Sequence, residues 1–504
     1  MGNLLIGKLV TKQGKKMREM EMIIKRRDFL KKCTSIGMGG LLLSNRTLAL
    51  NTATRPPNII LIMVDDLGWA DIGSYGQKVV PTPNLDRMAS KGVRFTNAYS
   101  GCSLCAPSRS VLMTGLHMGH TPLRINLGGG GASIRAEDVT VAQRLKSLGY
   151  ATGGFGKWGL GDVGTAGIPE KHGFDLFFGY YNQFHAHFYF PNYLYRNSKR
   201  VPLKGNEEFS WTTSKRQMPP MGALTEINPD TGKRRQFSHD LILQEMLQFI
   251  RDQKDNPFFC YGPWTLPHGR FHILAEDPAW AMFKDKPWEE DVKVMAAMNV
   301  MIDRGVGQVR ALLEKLGLAD NTVIIFMSDN GAPRNLEGIL DCSGPLRGSK
   351  GTLYEGGLRV PLLICWPNRI RPGAVSDLPV YSADIAPTLM ELAGSTMEGG
   401  DGLSLAPTLL GRDGQREHKY LYWESAYDAK GKFGQAVRWG KWKAIRNPNK
   451  PLELYDLHKD QGETTDVAAA HSDVVRQIET FMQEAHEPPP PQIQPDMAPH
   501  QRWL

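Results

Sequence analysis

Residues 58–66 read Asn-Ile-Ile-Leu-Ile-Met-Val-Asp-Asp. A run of branched apolar side chains with no polar alternation predicts a strand covered on both faces, as in a parallel sheet wrapped by helices. It ends abruptly in two carboxylates. Far along the chain, residues 322–330 read Thr-Val-Ile-Ile-Phe-Met-Ser-Asp-Asn and repeat the pattern. In open α/β sheets, sites gather beyond the carboxyl ends of strands, so these two pairs of oxygen donors are expected to converge in space.

Between the two strands, helical periodicity alternates with short apolar runs. A helix over 139–148 precedes a strand over 151–155, and a helix over 238–250, with Ser238 as its N-cap, precedes a strand over 258–261. Alternation of this kind predicts an α/β core. Residues 184–204 show neither period and read as an irregular aromatic insertion facing substrate. After residue 411 the pattern changes to short alternating segments at 420–423, 434–438, 442–446 and 452–455, which predict an antiparallel sheet. An amphipathic helix over 474–485 and a proline-rich tail follow. The expected organisation is a front segment and linker (1–55), a large α/β domain (56–408), a small α+β domain (409–487) and the tail (488–504).

The formal charge of +8 resides at the front of the chain: residues 1–50 carry 11 Lys/Arg against 3 Asp/Glu, and the remainder is balanced at 49 of each sign. A balanced body argues against nucleic acid as a partner. The segment Lys25-Arg26-Arg27-Asp28-Phe29-Leu30-Lys31, followed by a mildly apolar run over 36–43, resembles a twin-arginine leader and implies export to the periplasm. That run is too short and too rich in glycine to span a membrane. Six cysteines, at 33, 102, 105, 260, 342 and 365, are too few for a disulfide scaffold in 504 residues. Cys102 and Cys105 form a C-x-x-C pair without a second pair at zinc spacing, and Cys260 and Cys365 sit in apolar runs as buried fillers.

The segment Cys105-Ala106-Pro107-Ser108-Arg109, followed by Met113-Thr114-Gly115, resembles the type I sulfatase signature. Six specified positions at about 5% each match by chance less than about once in ten million starting points. The chain is similar to exported bacterial polysaccharide sulfatases, which implies an alkaline-phosphatase-like mixed sheet flanked by helices, with a smaller C-terminal domain of antiparallel sheet plus helix. The resemblance further implies that Cys105 is oxidised to formylglycine by a formylglycine-generating or anaerobic sulfatase-maturing enzyme. It assigns Asp65, Asp66, Asp329 and Asn330, with the oxygen on residue 105, to a metal; a set of hard oxygen donors favours Ca²⁺, less often Mg²⁺, over zinc. It assigns Arg109, Lys157 and Lys350 to the sulfate charge and His268 to protonation of the departing oxygen, with His272 a weaker competitor.

One position departs from the pattern. Many sulfatases carry histidine where this chain has Gly159, so either another base serves there or the step runs differently; His185 or His187 is expected to fill part of that space or to bind substrate, and Arg347, near Lys350, is a further substrate candidate. The aromatic residues Phe184, Phe188, Tyr189, Phe190, Tyr193 and Tyr195 suit stacking on the sugars of a sulfated polysaccharide. Two other readings stand beside sulfate-ester hydrolysis: a phosphonate or phosphodiester hydrolase on the same fold, and a carbohydrate-binding protein whose Cys105 stays a thiol.

Overall fold

All seven residues of the strand Asn58–Val64 (β1) are buried, because parallel neighbours flank it and helices cover both faces. The computed structural model describes residues 55–126, 133–209, 221–425 and 432–490. The expected leader, and the tail from 491 onward, lie outside the described residues. The other strands of the main sheet are Val93–Phe95 (β2), Ala151–Lys157 (β3), Leu176–Tyr180 (β4), Tyr193–Arg196 (β5), Lys199–Pro202 (β6), Phe258–Pro263 (β7), Thr322–Ser328 (β8), Leu362–Cys365 (β9) and Ala374–Ser376 (β10). Their order is β10-β2-β9-β8-β1-β7-β3-β4-β5-β6. The five central strands, β8 to β4, run parallel. Outside them β9 and β5 turn antiparallel, so the sheet is mixed.

Register decides what the sheet presents. Val64 pairs with Ser328, so the residues that follow, Asp65 and Asp329, leave the sheet side by side. Five helices matter here: Cys105–Thr114 (α1), Val141–Ser147 (α2), Ser238–Asp252 (α3), Glu290–Lys315 (α4) and Ser472–Glu484 (α5). Two apolar cores lie on opposite faces of β1, one through Ile60, Ile62 and Val64, the other through Ile59, Leu61 and Met63. Thr140 caps α2 in a capping box with Gln143, whose backbone N–H donates to the Thr140 hydroxyl.

Two local expectations are corrected, and one long helix is added. Ser238 is the first helical residue of α3 rather than its cap, which is Phe237 without a side-chain bond. The aromatic stretch 184–204 contains the hairpin of β5 and β6. Phe188, Tyr189, Phe190, Tyr193 and Tyr195 are buried there, so they pack the core instead of stacking on ligand. The 26-residue α4 was not predicted.

The antiparallel sheet Leu421–Ser425 (β11), Gly434–Trp439 (β12), Trp442–Arg446 (β13) and Glu453–Asp456 (β14) lies in that order. Its buried Trp423 donates its indole N–H to the Ser100 carbonyl at 2.9 Å. A shared apolar cluster joins Trp423, Ala436 and Ile445 to Tyr99, Cys102 and Val111. The small sheet therefore backs the segment that leads into α1.

Candidate active site

The carboxyl ends of the parallel strands deliver the side chains that the sequence placed far apart. Asp65 Oδ2 accepts from Lys157 Nζ at 2.7 Å, and Lys157 is the last residue of β3. Asp329 Oδ2 accepts from Arg109 Nη2 at 2.7 Å and from Nε at 3.1 Å. The Asp66 backbone N–H donates to Asp329 Oδ1 at 3.2 Å. Asp66 holds φ 72°, a left-handed conformation that costs a non-glycine residue about 1–3 kcal/mol. Asn330 Nδ2 donates to Asp66 Oδ1 at 2.7 Å, and Lys350 Nζ reaches the same oxygen at 2.6 Å.

Donor oxygens of Asp65, Asp66 and Asp329 lie within 4.8 Å of one another, and all three residues are buried. Burial works to raise the Asp65 pKa, but Lys157, His268, Arg109 and Lys350 together hold that carboxyl well below the usual range. Burial and the neighbouring Asp65 charge push Asp329 up to about 7. Asp65 Oδ1 and Asn330 Oδ1 are buried with no hydrogen-bond partner among the described residues. Orphaned oxygens beside three carboxylates fit a hard cation with oxygen ligands, which would satisfy them and offset the repulsion.

Cys105 opens α1 and is only 1% exposed. Its position at the first helical turn favours negative charge there, since the free backbone N–H groups point outward. Arg109 follows one turn later and so lies on the same side of the helix; its Nη1 also donates to the Lys157 carbonyl at 2.9 Å. The thiol receives Gln183 Nε2 at 3.4 Å and Asn126 Nδ2 at 3.5 Å. Asn126 Oδ1 in turn accepts the Ala106 backbone N–H at 3.1 Å.

His268 follows β7. Its Nδ1 lies 2.7 Å from the Gly269 carbonyl, which only accepts, so Nδ1 carries the proton. Nε2 faces Lys350 Nζ at 3.1 Å and Asp66 Oδ2 at 3.5 Å. Burial and the Lys350 charge push its pKa down to about 4. The His187 ring stacks on it with centroids 3.8 Å apart.

Thus Asp65, Asp66, Cys105, Arg109, Lys157, His268, Asp329, Asn330 and Lys350 form one cluster. His185 does not join it: the ring is fully buried against Tyr180 and Tyr193, and burial pushes its pKa to about 3. Arg347 points away, donating to the Tyr455 hydroxyl and the Glu463 carbonyl and lying over the Tyr354 ring. His187 reaches the cluster through His268, but the space beside Gly159 belongs to another residue. A Cβ built on Gly159 would meet Gln183 Oε1 at 3.4 Å and Arg109 Cδ at 3.8 Å. The sequence reading missed Gln183 and Asn126. Gln183 lies just past the carboxyl end of β4, where the rule that located the aspartates also applies.

Comparison with known proteins follows the same lines. The family described as Sulfatase matches residues 57–395, and the family described as N-sulphoglucosamine sulphohydrolase, C-terminal, matches residues 349–487. Human arylsulfatase A is 34% identical over 456 residues, covering 81% of this chain and 83% of its own length. Human N-acetylgalactosamine-6-sulfatase is 34% identical over 380 residues, covering 71% of this chain and 66% of its own. Among solved structures, Ps i-CgsB in complex with k-i-k-neocarrahexaose superposes with a TM-score of 0.72 at 29% identity, covering 86% of this chain and 94% of that one.

Proposed function

This chain belongs to the sulfatase family and hydrolyses a sulfate ester; from that premise we propose that the ester is carried by a sulfated carbohydrate and attacked by a formylglycine made from Cys105. The observation that carries the proposal is the placement of Cys105 Sγ. It sits at a helix start, in the one cluster that unites Arg109, Lys157 and Lys350 with Asp65, Asp66, Asp329 and Asn330. A thiol is a poor match for this set of hard oxygen donors. An oxygen-bearing residue at that position suits it, and formylglycine supplies an oxygen nucleophile where cysteine has sulfur.

The cation, Ca²⁺ in this reading and Mg²⁺ less readily, would be held by Asp65, Asp66, Asp329, Asn330 and the oxygen on residue 105, and would polarise the sulfate oxygens as a Lewis acid. The chain's own side chains supply the rest. Arg109 and Lys157 are fixed by Asp329 and Asp65, so their charges need no reorganisation when an anionic ester arrives. Lys350 lies between Asp66 and His268 Nε2. An anionic ester placed there favours the protonated imidazole, which then donates to the departing oxygen. A sugar hydroxyl leaves poorly without that proton.

The carbohydrate assignment is supported by the 29%-identical neighbour bound to a carrahexaose and by the relationship to N-acetylgalactosamine-6-sulfatase. The proposal includes delivery to the periplasm by the leader and oxidation of Cys105 by a formylglycine-generating or anaerobic sulfatase-maturing enzyme as obligate partner. No helix among the described residues is long and apolar enough to cross a membrane. The test is release of sulfate from a panel of defined sulfated oligosaccharides, with a phosphonate monoester and a simple aryl sulfate beside them. Turnover is expected to be highest on one sulfated sugar. Turnover of the aryl sulfate alone would remove the carbohydrate assignment, and faster turnover of the phosphonate would remove the choice of sulfate as the preferred ester.

A further inference from the structure

Gly159 leaves a gap beside the nucleophile position that the Gln183 side chain borders. Its φ of 74° is left-handed, and the space its missing side chain would enter is bordered by the Gln183 amide oxygen, 3.4 Å from where a Cβ would stand. Two backbone bonds hold the segments together, Trp158 N–H to the Tyr180 carbonyl at 2.9 Å and Gly159 N–H to the Tyr181 carbonyl at 3.1 Å. The neighbouring Asn182 fixes the turn: its Nδ2 donates to Asp162 at 2.9 Å, and its Oδ1 accepts the backbone N–H of Phe184 at 2.8 Å. The segment that carries Gln183 is therefore held in place before any ligand arrives.

Its two amide ends differ in their surroundings. Nε2 donates to Cys105 Sγ at 3.4 Å, and that sulfur stands where oxygen is carried once the residue is oxidised. Oε1 has no partner among the described residues, although Gln183 is only 8% exposed. A buried acceptor without a partner is costly unless something at work in the site satisfies it.

We propose that Gln183 orients the oxygens carried by residue 105, its N–H donating to one and its carbonyl accepting the O–H of the other, in the space that Gly159 leaves open. This rests on the reading that Cys105 becomes formylglycine. A primary amide does not titrate in the working pH range, so Gln183 positions the oxygens without taking up a proton. It also favours the hydrated over the free aldehyde, because the hydrate satisfies both amide ends.

The test compares the parent with Gln183→Leu and Gln183→Glu through three readouts: the fraction of residue 105 oxidised, by peptide mass spectrometry; kcat and KM per oxidised enzyme; and the rate at which an aminooxy probe labels the aldehyde without substrate. Gln183→Leu is expected to be oxidised like the parent. Its kcat should fall about 10²-fold, as for loss of one preorganised donor, with KM changed by less than roughly threefold because the contact is to the nucleophile rather than to substrate. Its probe labelling should be faster, since the hydrate is no longer held. Gln183→Glu keeps the volume and should add an ionisation to the pH profile of kcat/KM that the parent lacks.

An oxidised Gln183→Leu with parental kcat and parental labelling overturns the assignment. If that variant does not fold, a Gln183→Glu pH profile identical to the parent's does so equally. A parent that turns over sulfate esters with only a thiol at 105 overturns this assignment together with the formylglycine reading beneath it.

Discussion

His268 has one nitrogen fixed and one available. Nδ1 is spent on the Gly269 carbonyl and the ring is flattened against His187, so Nε2 has a single direction, toward Lys350 and Asp66. In the proposed reaction a group placed this way protonates the leaving oxygen, and its value depends on how badly that oxygen needs a proton. For His268→Ala we expect sulfate release from a sugar to fall about 10²–10⁴-fold, while release from an aryl sulfate with an acidic phenol falls far less. Equal losses on both substrates would place the histidine in binding rather than proton transfer. Arg347 teaches the converse. It lies three residues from Lys350, yet its guanidinium is committed to Tyr455, Glu463 and Tyr354, and nearness in sequence says little across a tight loop.

At the scale of elements, the exit of α1 is held by a device outside the chemistry. Asp401 accepts the His117 backbone N–H at 2.8 Å and lies 2.9 Å from His120 Nδ1, while its own N–H bonds the carbonyl of Gly115, the left-handed residue that ends the helix. The hydrogen bond to Asp401, more than burial opposes it, raises the His120 pKa. A raised histidine pKa means stabilisation that is complete below the unfolded value and disappears as pH rises through the folded one. His120→Gln should therefore lower the melting temperature at about pH 5.5 and have little effect at about pH 9. The pair is still partly open to solvent, which limits the effect to about 1 kcal/mol or less; equal losses at both pH values would contradict a charge-based origin. Element boundaries were legible where one pattern dominates. The unbroken apolar run of β1 was read to the residue, and β11 to β14 within two residues, because a strand covered on both faces or alternating on one leaves little ambiguity. Helix α4 was not singled out: buried positions such as Met295, Ala296, Ala297 and Met298 run consecutively around it, which erases a single apolar stripe. The β5–β6 hairpin was hidden for a related reason, its aromatic residues being core on a strand too short to show a period. Gln183 stands at a strand end, where the rule for the aspartates points, but its nearness to residue 159 arises only once β3 and β4 pair.

For the whole molecule, the C-terminal sheet is part of the site's construction. Lys443 on β13 is fully buried between Glu355 at 2.8 Å and Glu463 at 3.3 Å, and the Ser425 and Ser103 hydroxyls meet at 2.8 Å, two residues before Cys105. One buried cation serves two carboxylates: against the burial that opposes it, Lys443 holds Glu355 down to about 2, while burial pushes Glu463 up to about 7. Removing the cation strands a buried charge, so Lys443→Ala should destabilise the protein by about 3–5 kcal/mol in denaturant unfolding. A loss below about 1 kcal/mol would mean the network is solvated like a surface pair. This scaffold brings strand ends and a helix start to one point, and what occupies that point decides whether the chemistry runs. The most direct measurement is peptide mass spectrometry across Cys105 on protein purified from its native host, paired with sulfate-ester turnover of the same preparation. An aldehyde at residue 105 is expected, with turnover proportional to the aldehyde fraction; full turnover by protein carrying only the thiol would contradict the formylglycine reading.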